Sequence, residues 1–357
     1  MNDVIVAVDG TLGGLTLNRP KALNALSLEM IRTIDAALEE WRNDGAVKAI
    51  LVDGAGERGL CAGGDIRWLY DSILAGASRA EEFFRAEYRL NAAIAEYPKP
   101  IVALADGIVM GGGVGLSSHA SHRVVTERSI LALPEVGIGF FPDIGATYLL
   151  SRPSLGEIGT HVALATPRLS ADDALAAELA EYVIASDHLR DVPEALRGCA
   201  DAAEVGQALC ALASGVEPGK LRAARGWTRE CYAGDDIEAM VARLDAHPEP
   251  EARAAAQEIR RKSPISLKLT LRMLRRARRL PDLRACLEVE FRTAVQITSM
   301  PDFIEGVRAA VVDKDRNPRW SILHLGDVTD ELLDRLFPAV IPGWTPLFDE
   351  GESNRLR

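Results

Sequence analysis

The sequence predicts an α/β protein whose C-terminal part is helical. Short apolar runs alternate with helical segments through the first half of the 357 residues, which is the pattern of an α/β domain. From about Ser170 the composition shifts to Ala, Leu, Glu and Arg with helical periodicity. We place the boundary between the two regions near residue 200. We expect the helical region, residues 201–357, to pack on the core, residues 1–200, because no low-complexity linker separates them.

The first half begins with two strand-like runs around the hairpin signal Asp9-Gly10. Ser27 is placed to cap a helix that reaches about Asn43 with one apolar face. The remaining elements are a strand at Ala49–Val52, a helix at Arg79–Tyr97 ended by Pro98, a strand at Ile101–Ala105, a short helix at Gly113–His119, and strands at Arg123–Thr126 and Ile130–Ala132.

The second half shows helical periodicity almost throughout. The predicted helices are Ala171–Ala180, Pro193–Ala213, Ile237–Ala246, Pro250–Arg261, Ile265–Arg279 and Leu283–Ser299.

The composition narrows the possible partners and the compartment. The formal net charge of −11 and the few aromatic residues disfavour nucleic acid, which needs a basic face or stacking platforms. Five cysteines without a CxxC spacing indicate reduced thiols rather than a disulfide framework or a zinc site. We see no signal peptide and no membrane-spanning stretch. The sequence therefore predicts a cytoplasmic protein without a membrane partner.

Two glycine-rich loops each follow a strand-like run, at Cys61–Ile66 and at Met110–Gly115. Glycine lets backbone N–H groups approach a ligand without an intervening Cβ. The loops match neither the dinucleotide fingerprint nor the phosphate-binding P-loop. They favour a pair of backbone donors for one oxyanion, with a plain tight turn as the alternative.

Two carboxylates follow the loops and are candidates for handling protons or water. Glu135 lies in an apolar neighbourhood, and its alternative role is that of a surface residue at a strand end. Asp143 follows Phe140-Phe141-Pro142, and its alternative is the N-cap of a helix through Leu150. Asp65 is placed to cap a helix that begins at Ile66.

Other charged groups give weaker signals. The arginines between Arg272 and Arg279 form either a solvated helix face or a contact to ligand phosphates. The histidines lack the spacing of a metal site, so no metal ligand is predicted.

The motifs together resemble the crotonase (enoyl-CoA hydratase/isomerase) superfamily. The resemblance rests on Ala62–Ile66, Gly107–Leu116 and Pro134–Gly139. A narrower resemblance, to the 3-hydroxyisobutyryl-CoA hydrolase branch, rests on Phe141–Gly145, Lys262–Lys268 and Glu305–Asp315.

The resemblance implies a spiral of ββα units with a helical C-terminal region, and an acyl-CoA thioester as substrate. It implies that the backbone N–H groups of Gly64 and Gly112 form the oxyanion hole. The CoA-binding residues that it implies are Lys21, Ala22, Leu23, Ala62, Gly63, Asp65 and Ile66. Coenzyme A would be part of the substrate, and no separate cofactor is expected.

Position 115 separates the branches of this superfamily. Hydratases in it use two glutamates, one just after the second glycine loop, where this chain has Gly115 followed by Leu116. The hydrolase branch resembles this chain in keeping Glu135 and adding Asp143. We therefore expect Glu135 and Asp143 to be the catalytic residues of a thioester hydrolase.

Several alternatives remain open at this stage. Glu135 would act as a general base on water or attack the carbonyl to give an anhydride, while Asp143 would orient the 3-hydroxyl or the water. The rival functions are an enoyl-CoA hydratase or isomerase and a non-catalytic CoA-binding scaffold. The acyl group, the contact of the Arg272–Arg279 helix with CoA phosphates, and a homo-oligomeric state stay undecided.

Overall fold

The chain forms two compact units that are interleaved along the sequence. The computed structural model describes residues 2–76, 79–337 and 345–348. The first unit comprises Met1–Asp65, Leu90–Ala132 and Arg168–Arg222, and the second comprises Ile66–Arg89, Leu133–Pro167 and Ala223–Arg357. The division at residue 200 follows composition rather than contacts, and it stays a prediction.

The strands all lie in the first unit. Their bounds are β1 Val4–Asp9, β2 Leu12–Leu17, β3 Ala49–Gly54, β4 Ile101–Ala105, β5 Ile108–Met110, β6 His122–Val125, β7 Ile130–Ala132 and β8 Tyr182–Val183. The predicted strands of the first half are confirmed within a few residues, whereas β5 and β8 were not predicted.

The helices occur along the whole chain. Their bounds are α1 Leu28–Arg42, α2 Ile66–Leu74, α3 Ala80–Ala95, α4 Gly112–Ser118, α5 Ala146–Leu150, α6 Ile158–Ala165, α7 Ala171–Ala176, α8 Val192–Leu196, α9 Ala202–Leu212, α10 Leu221–Cys231, α11 Ile237–Ala246, α12 Pro250–Ile259, α13 Pro264–Ala277, α14 Leu283–Ile297, α15 Pro301–Val307 and α16 Asp330–Leu336. The cap at Ser27 is confirmed, because its side chain accepts a hydrogen bond from the N–H of Met30.

A six-stranded sheet organises the first unit, in the order β1-β2-β3-β4-β6-β8. β1 and β2 form an antiparallel hairpin, which turns at Gly10 with a φ of +61°. All later pairs are parallel, so each connection must return over the sheet. β5 and β7 form a separate parallel pair, and the second glycine loop follows β5 directly.

A continuous apolar core covers this sheet. Side chains of β3, β4 and β6 such as Leu51, Leu104 and Val124 pack with Leu196 of α8 and Leu209 of α9. Short apolar strands alternate along the chain with helices that have one apolar face, and this alternation is typical of an α/β domain.

One predicted helix is wrong. The segment Pro193–Ala213 was expected to be continuous, but it forms α8 and α9 with a break between them. Gly198 has a φ of +93°, which a helix does not tolerate. Asp201 then starts the new helix by accepting hydrogen bonds from the N–H groups of Ala203 and Glu204.

The second unit is built from helices around α13. Ser263 caps this helix by accepting from the N–H of Ser266, and Pro264 occupies its first turn, where proline is favoured. α13 packs against α5, α6 and a 3₁₀ turn at Glu135–Ile138. The same turn contacts α15. The helical C-terminal segments therefore surround the turn that carries Glu135.

Three further observations on the described residues concern membrane-spanning helices, cysteines and metal ligands. None of their helices is long and apolar enough to cross a membrane. All five cysteines are free thiols. Within residues 2–76, 79–337 and 345–348, no group of three or more potential ligands is arranged to hold a metal ion.

The contact between α15 and the Glu135 turn predicts the effect of a methyl group at Gly306. A Cβ at Gly306 would lie 2.3 Å from the carbonyl carbon of Ile138, so Gly306→Ala forces the two segments apart. We expect a loss of about 1–3 kcal/mol in the free energy of unfolding, measured with urea.

Gly226→Ala is the matched control. Gly226 lies within α10 and has nothing within 4 Å of a built Cβ. There we expect a gain of about 0.5–1 kcal/mol, because alanine favours the helix. Equal effects of the two substitutions would contradict the tight contact at Gly306.

Candidate active site

The two glycine loops lie side by side in the first unit. The N–H of Met110 donates to the Cys61 carbonyl over 2.9 Å, and the N–H of Cys61 donates to the Ile108 carbonyl over 3.2 Å. A Cβ at Gly113 would lie only 2.4 Å from the Cys61 oxygen. Glycine at this position is therefore required for the close approach of the loops.

The predicted oxyanion donors, Gly64 and Gly112, both belong to this pair of loops. A Cβ built on Gly63 would lie 3.8 Å from the nitrogen of Gly112, so the loops meet next to the two donors. Gly112 is the first residue of α4, where a helix leaves its N–H groups without internal partners. Among the described residues, neither N–H donates to a protein acceptor. The arrangement can direct two backbone donors at one oxygen atom.

The first loop also contacts the predicted CoA-binding segment Lys21–Leu23. The N–H of Ala62 donates to the Leu23 carbonyl over 3.0 Å, and the N–H of Leu26 donates to the Gly63 carbonyl over 2.8 Å. The structure thus brings together six of the seven predicted CoA-binding residues, and Ile66 begins α2.

Two residues that the sequence did not single out hold this segment in place. The Arg19 guanidinium lies 3.0 Å from Asp65. The Asn24 side chain donates to the carbonyls of Ala55 and Gly59, and it accepts from the N–H of Arg19. Asp65 is thus engaged in an ion pair, and its expected role as a helix cap stays a prediction.

Glu135 and Asp143 are both buried in the second unit, each about 6 % exposed. Glu135 is the first residue of the 3₁₀ turn. The Tyr88 hydroxyl donates to Asp143 Oδ2 over 2.6 Å. The alternative of Asp143 as a helix cap is wrong, because α5 begins at Ala146 after Gly145, with no side chain capping it. The surface alternative for Glu135 is likewise wrong.

Two further buried carboxylates, Glu87 of α3 and Glu290 of α14, interact with this pair. Sequence reasoning missed both. A signal existed for Glu290, because it falls on the apolar stripe of its helix with Leu283, Leu287 and Ala294. A charged residue on such a stripe is rarely buried without a role. Glu87, which precedes Tyr88 on α3, is likewise a buried charged residue.

Burial raises the pKa values of all four carboxyl groups, and the negative charge of Asp143 further raises those of Glu135, Glu87 and Glu290. For Glu135, burial and then the negative charge of Asp143 raise the pKa well above the usual carboxyl range. Burial raises the pKa of Asp143 to about 7, against the hydrogen bond from Tyr88. Burial raises the pKa of Glu290 to about 8, and burial with the charge of Asp143 raises that of Glu87. At neutral pH the cluster therefore retains at least one proton.

Two oxygen atoms of the cluster have no hydrogen-bond partner among the described residues, Glu135 Oε2 and Glu87 Oε1. An unpaired buried acceptor costs about 1–3 kcal/mol. Such a cost is retained where a group must bind something other than protein, so these two atoms are the available acceptors for a ligand or water.

The segments that carry the narrower resemblance support the Glu135 turn. The N–H of Ser263 donates to the Val136 carbonyl over 3.3 Å, and its hydroxyl donates to Asp302 Oδ2 over 2.7 Å. Gly306 of α15 touches the backbone of Ile138, as described above. These motif residues therefore help to fix the position of the turn that carries Glu135.

Arg272, Arg275 and Arg276 lie on α13, and Arg278 and Arg279 follow its end. All but Arg278 line a cavity of about 1080 Å³ in the second unit. Arg275 and Arg278 both pair with Glu157, over 3.0 and 3.2 Å. Arg272 pairs with Asp334. These pairs favour a structural role for part of the cluster.

Position 115 carries no acid in the folded chain. Gly115 lies within α4 and is buried, and its N–H donates to the Gly111 carbonyl over 3.1 Å. The second glycine loop therefore supplies no carboxyl group at this position.

Comparison with known proteins identifies relatives that match most of the chain. Residues 12–337 match the enoyl-CoA hydratase/isomerase family. Curated relatives include the mitochondrial 3-hydroxyisobutyryl-CoA hydrolases of Rattus norvegicus, 39% identical over 95% of this chain and 89% of that protein. The Homo sapiens protein of the same name is 37% identical over 95% of this chain and 89% of its own length.

Solved structures share the fold over nearly the whole chain. A carnitinyl-CoA dehydratase from Mycobacterium thermoresistibile is 43% identical, with a TM-score of 0.91 over 98% of this chain and 100% of that one. An enoyl-CoA hydratase from Rhodobacter sphaeroides is 38% identical, with a TM-score of 0.87 over 94% of this chain and 97% of that one. The expected fold, a crotonase-like α/β spiral with a helical C-terminal region, is confirmed. The chain belongs to the crotonase (enoyl-CoA hydratase/isomerase) superfamily and, within it, to the 3-hydroxyisobutyryl-CoA hydrolase branch.

Proposed function

We propose that this protein hydrolyses the thioester of a short 3-hydroxyacyl-CoA such as 3-hydroxyisobutyryl-CoA, giving the free acid and coenzyme A. The observation that carries the proposal is the buried pair Glu135 and Asp143, with Glu135 Oε2 unpartnered. The hydrolase names of the curated relatives support it. With 3-hydroxyisobutyryl-CoA as substrate, the reaction belongs to valine catabolism.

The glycine loops supply the electrostatic part of the reaction. The N–H groups of Gly64 and Gly112 would donate to the thioester oxygen as it gains negative charge in the tetrahedral intermediate. Lys21–Leu23 and Ala62–Ile66 would bind the CoA portion. The CoA thiolate is a stable leaving group, so no strong general acid is required.

The carboxylates supply the proton chemistry. Glu135 would take a proton from the attacking water, or attack the carbonyl and form an anhydride that water opens. Burial and the charge of Asp143 raise the pKa of Glu135, so its ionised form is a stronger base than an exposed glutamate. Asp143, and Glu87 with its free acceptor, would orient the 3-hydroxyl or the water. We propose that these carboxylates and the glycine loops act in the same reaction.

The second candidate is hydration or isomerisation of an enoyl-CoA. The names of the two solved neighbours favour it, since one is a hydratase and the other a dehydratase. Gly115 disfavours hydration, because adding water to a double bond typically needs two positioned carboxyls. A cytoplasmic location, a homo-oligomeric state and the lack of a separate cofactor remain proposals.

An acyl-CoA panel tests the function directly. We expect release of free thiol from 3-hydroxyisobutyryl-CoA and 3-hydroxypropionyl-CoA, and little hydration of crotonyl-CoA followed by its double-bond absorbance. Glu135→Gln should lower kcat for thiol release about 100- to 10,000-fold, because it removes the base. Glu40→Gln, an exposed glutamate of α1, is the control and should keep the wild-type rate. Rapid hydration of crotonyl-CoA without thiol release would contradict the hydrolase function.

The pH dependence provides a second test. Since Glu135 must be ionised, kcat/KM should rise with pH, with its midpoint above the ordinary carboxyl pKa of about 4.3. In Asp143→Asn the midpoint of the residual activity should move to lower pH, because a negative neighbour is removed. A midpoint unchanged by this substitution would contradict the repulsion between the two groups.

The same pKa shift has a consequence for stability. A carboxyl group whose pKa is raised by folding binds more protons in the folded state, so stability falls as pH rises through that interval. Glu135→Gln should therefore be more stable than the wild type in urea at pH 8, and the difference should vanish below about pH 4. A variant that is inactive yet more stable at pH 8 separates lost chemistry from lost folding.

The oxyanion role predicts a large effect of removing one backbone donor. Gly112 is the first residue of α4, a position at which proline is tolerated. Gly112→Pro deletes the N–H and should lower kcat about 100- to 1000-fold. Gly112→Ala keeps the N–H and controls for the added side chain. If the alanine and proline variants lose the same activity, the donor role is wrong.

A further inference from the structure

Glu290 makes contacts that the proposed reaction does not use. It lies on α14 with its side chain fully buried. Its Oε2 accepts from the N–H of Gly145 over 2.7 Å, and its Oε1 accepts from the N–H of Thr147 over 3.0 Å. The Thr147 hydroxyl also donates to Oε1, over 2.5 Å. These three donors engage both oxygens of the side chain and tie it to residues 145 and 147.

These three donors belong to the turn that carries Asp143. The turn is closed by a hydrogen bond from the N–H of Ala146 to the carbonyl of Asp143, over 2.8 Å. Glu290 therefore joins α14 to the turn at two residues, only two and four positions after Asp143.

The backbone of this turn is strained. Ile144 has a φ of +56° and Gly145 a φ of +78°. A β-branched residue with a positive φ is an outlier that persists only when its surroundings determine it. The hydrogen bonds from Gly145 and Thr147 to Glu290 are such a determinant, since they fix the chain directly after Ile144.

α14 also supports the other partner of Asp143. Phe291, the residue after Glu290, packs edge-on against the ring of Tyr88, with 6.4 Å between the ring centroids. Tyr88 in turn donates to Asp143 Oδ2. One helix thus holds both the backbone of Asp143 and the hydroxyl that orients its carboxylate.

We propose that Glu290 is a positioning residue of the hydrolase, which fixes the strained turn Asp143–Thr147 and thereby aligns the carboxylate of Asp143. This inference rests on the proposed function, which it deepens. Glu290 does not touch the reacting atoms. It acts through its hydrogen bonds with Gly145 and Thr147.

The pH profile gives a readout that separates positioning from an electrostatic effect. The titratable groups that interact with Glu290 include Asp143, Tyr88, Glu135 and, on its own helix, Cys286. Burial raises the pKa of Glu290 to about 8, so this side chain is largely protonated at lower pH. Glu290→Gln should therefore lower kcat without moving the acidic limb of the kcat/KM profile.

The experiment compares Glu290→Gln with matched variants. Glutamine has one acceptor oxygen, so its amide group faces the N–H of Gly145 or Thr147. We expect kcat to fall by about 100-fold with KM little changed, as for a small misplacement of an active-site group. The acidic limb should stay in place, while amide exchange of residues 143–147, followed by mass spectrometry, should accelerate.

Thr147→Val and Thr147→Ser test the same contact without changing the charge. Valine has the shape of threonine but lacks its hydroxyl, so kcat should fall while the acidic limb again stays in place. Serine keeps the hydroxyl and should restore kcat. Glu288→Gln is the control on the same helix, and it should behave as the wild type, because Glu288 pairs with Arg292 and the N–H of Leu347 instead.

The outcomes separate this inference from the proposed function. Wild-type kcat and wild-type amide exchange in Glu290→Gln would overturn the positioning role, as would an equal loss in Thr147→Ser and Thr147→Val. If Glu290→Gln does not fold, the threonine pair decides. A wild-type protein that releases no thiol from any acyl-CoA would instead overturn the proposed function, and the exchange rates would still report whether Glu290 holds the turn.

Discussion

The burial of several carboxyl groups around Asp143 is the constraint on which the rest of the site depends. Each carboxylate loses its hydration, and each repels the others, so the cluster destabilises the folded chain when it is ionised. The protein offsets this cost with donors at specific atoms, such as the Tyr88 hydroxyl on Asp143 and two backbone N–H groups on Glu290. Glu135 and Glu87 each keep one oxygen without a hydrogen-bond partner among the described residues, and in the proposed reaction Glu135 is the one that acts on water or the carbonyl.

The helical C-terminal segments support the turns that carry this carboxylate cluster. Ser263 at the start of α13 and Gly306 in α15 both reach the backbone of the 3₁₀ turn that carries Glu135. α14 reaches the turn that carries Asp143 through Glu290. A carboxylate that must stay buried against repulsion needs such support from several directions. This explains why motifs far along the chain accompany Glu135 and Asp143.

The glycine loops of the first unit provide hydrogen-bond donors from the backbone alone. An oxyanion needs donors that are already oriented before the charge forms, and backbone N–H groups at a helix start or in a tight loop meet this requirement. The contact of Gly113 with the Cys61 carbonyl shows how closely the loops approach. The third consecutive glycine therefore serves packing, while Gly112 supplies the donor in the proposed reaction.

The sequence by itself determined the fold class, most element positions and the two glycine loops, because periodicity, caps and glycine spacing are local properties. The catalytic role of Glu135 and Asp143 came from the resemblance to the hydrolase branch and stays a prediction. The sequence failed where a local break interrupted a good helical pattern, as at Gly198. Only the tertiary structure decided that Asp143 accepts from Tyr88 rather than capping a helix, and that Glu87 and Glu290 join the same cluster. Helices far apart in the sequence bring these groups together, and desolvation with mutual repulsion, which sets their pKa values, arises only once they are packed.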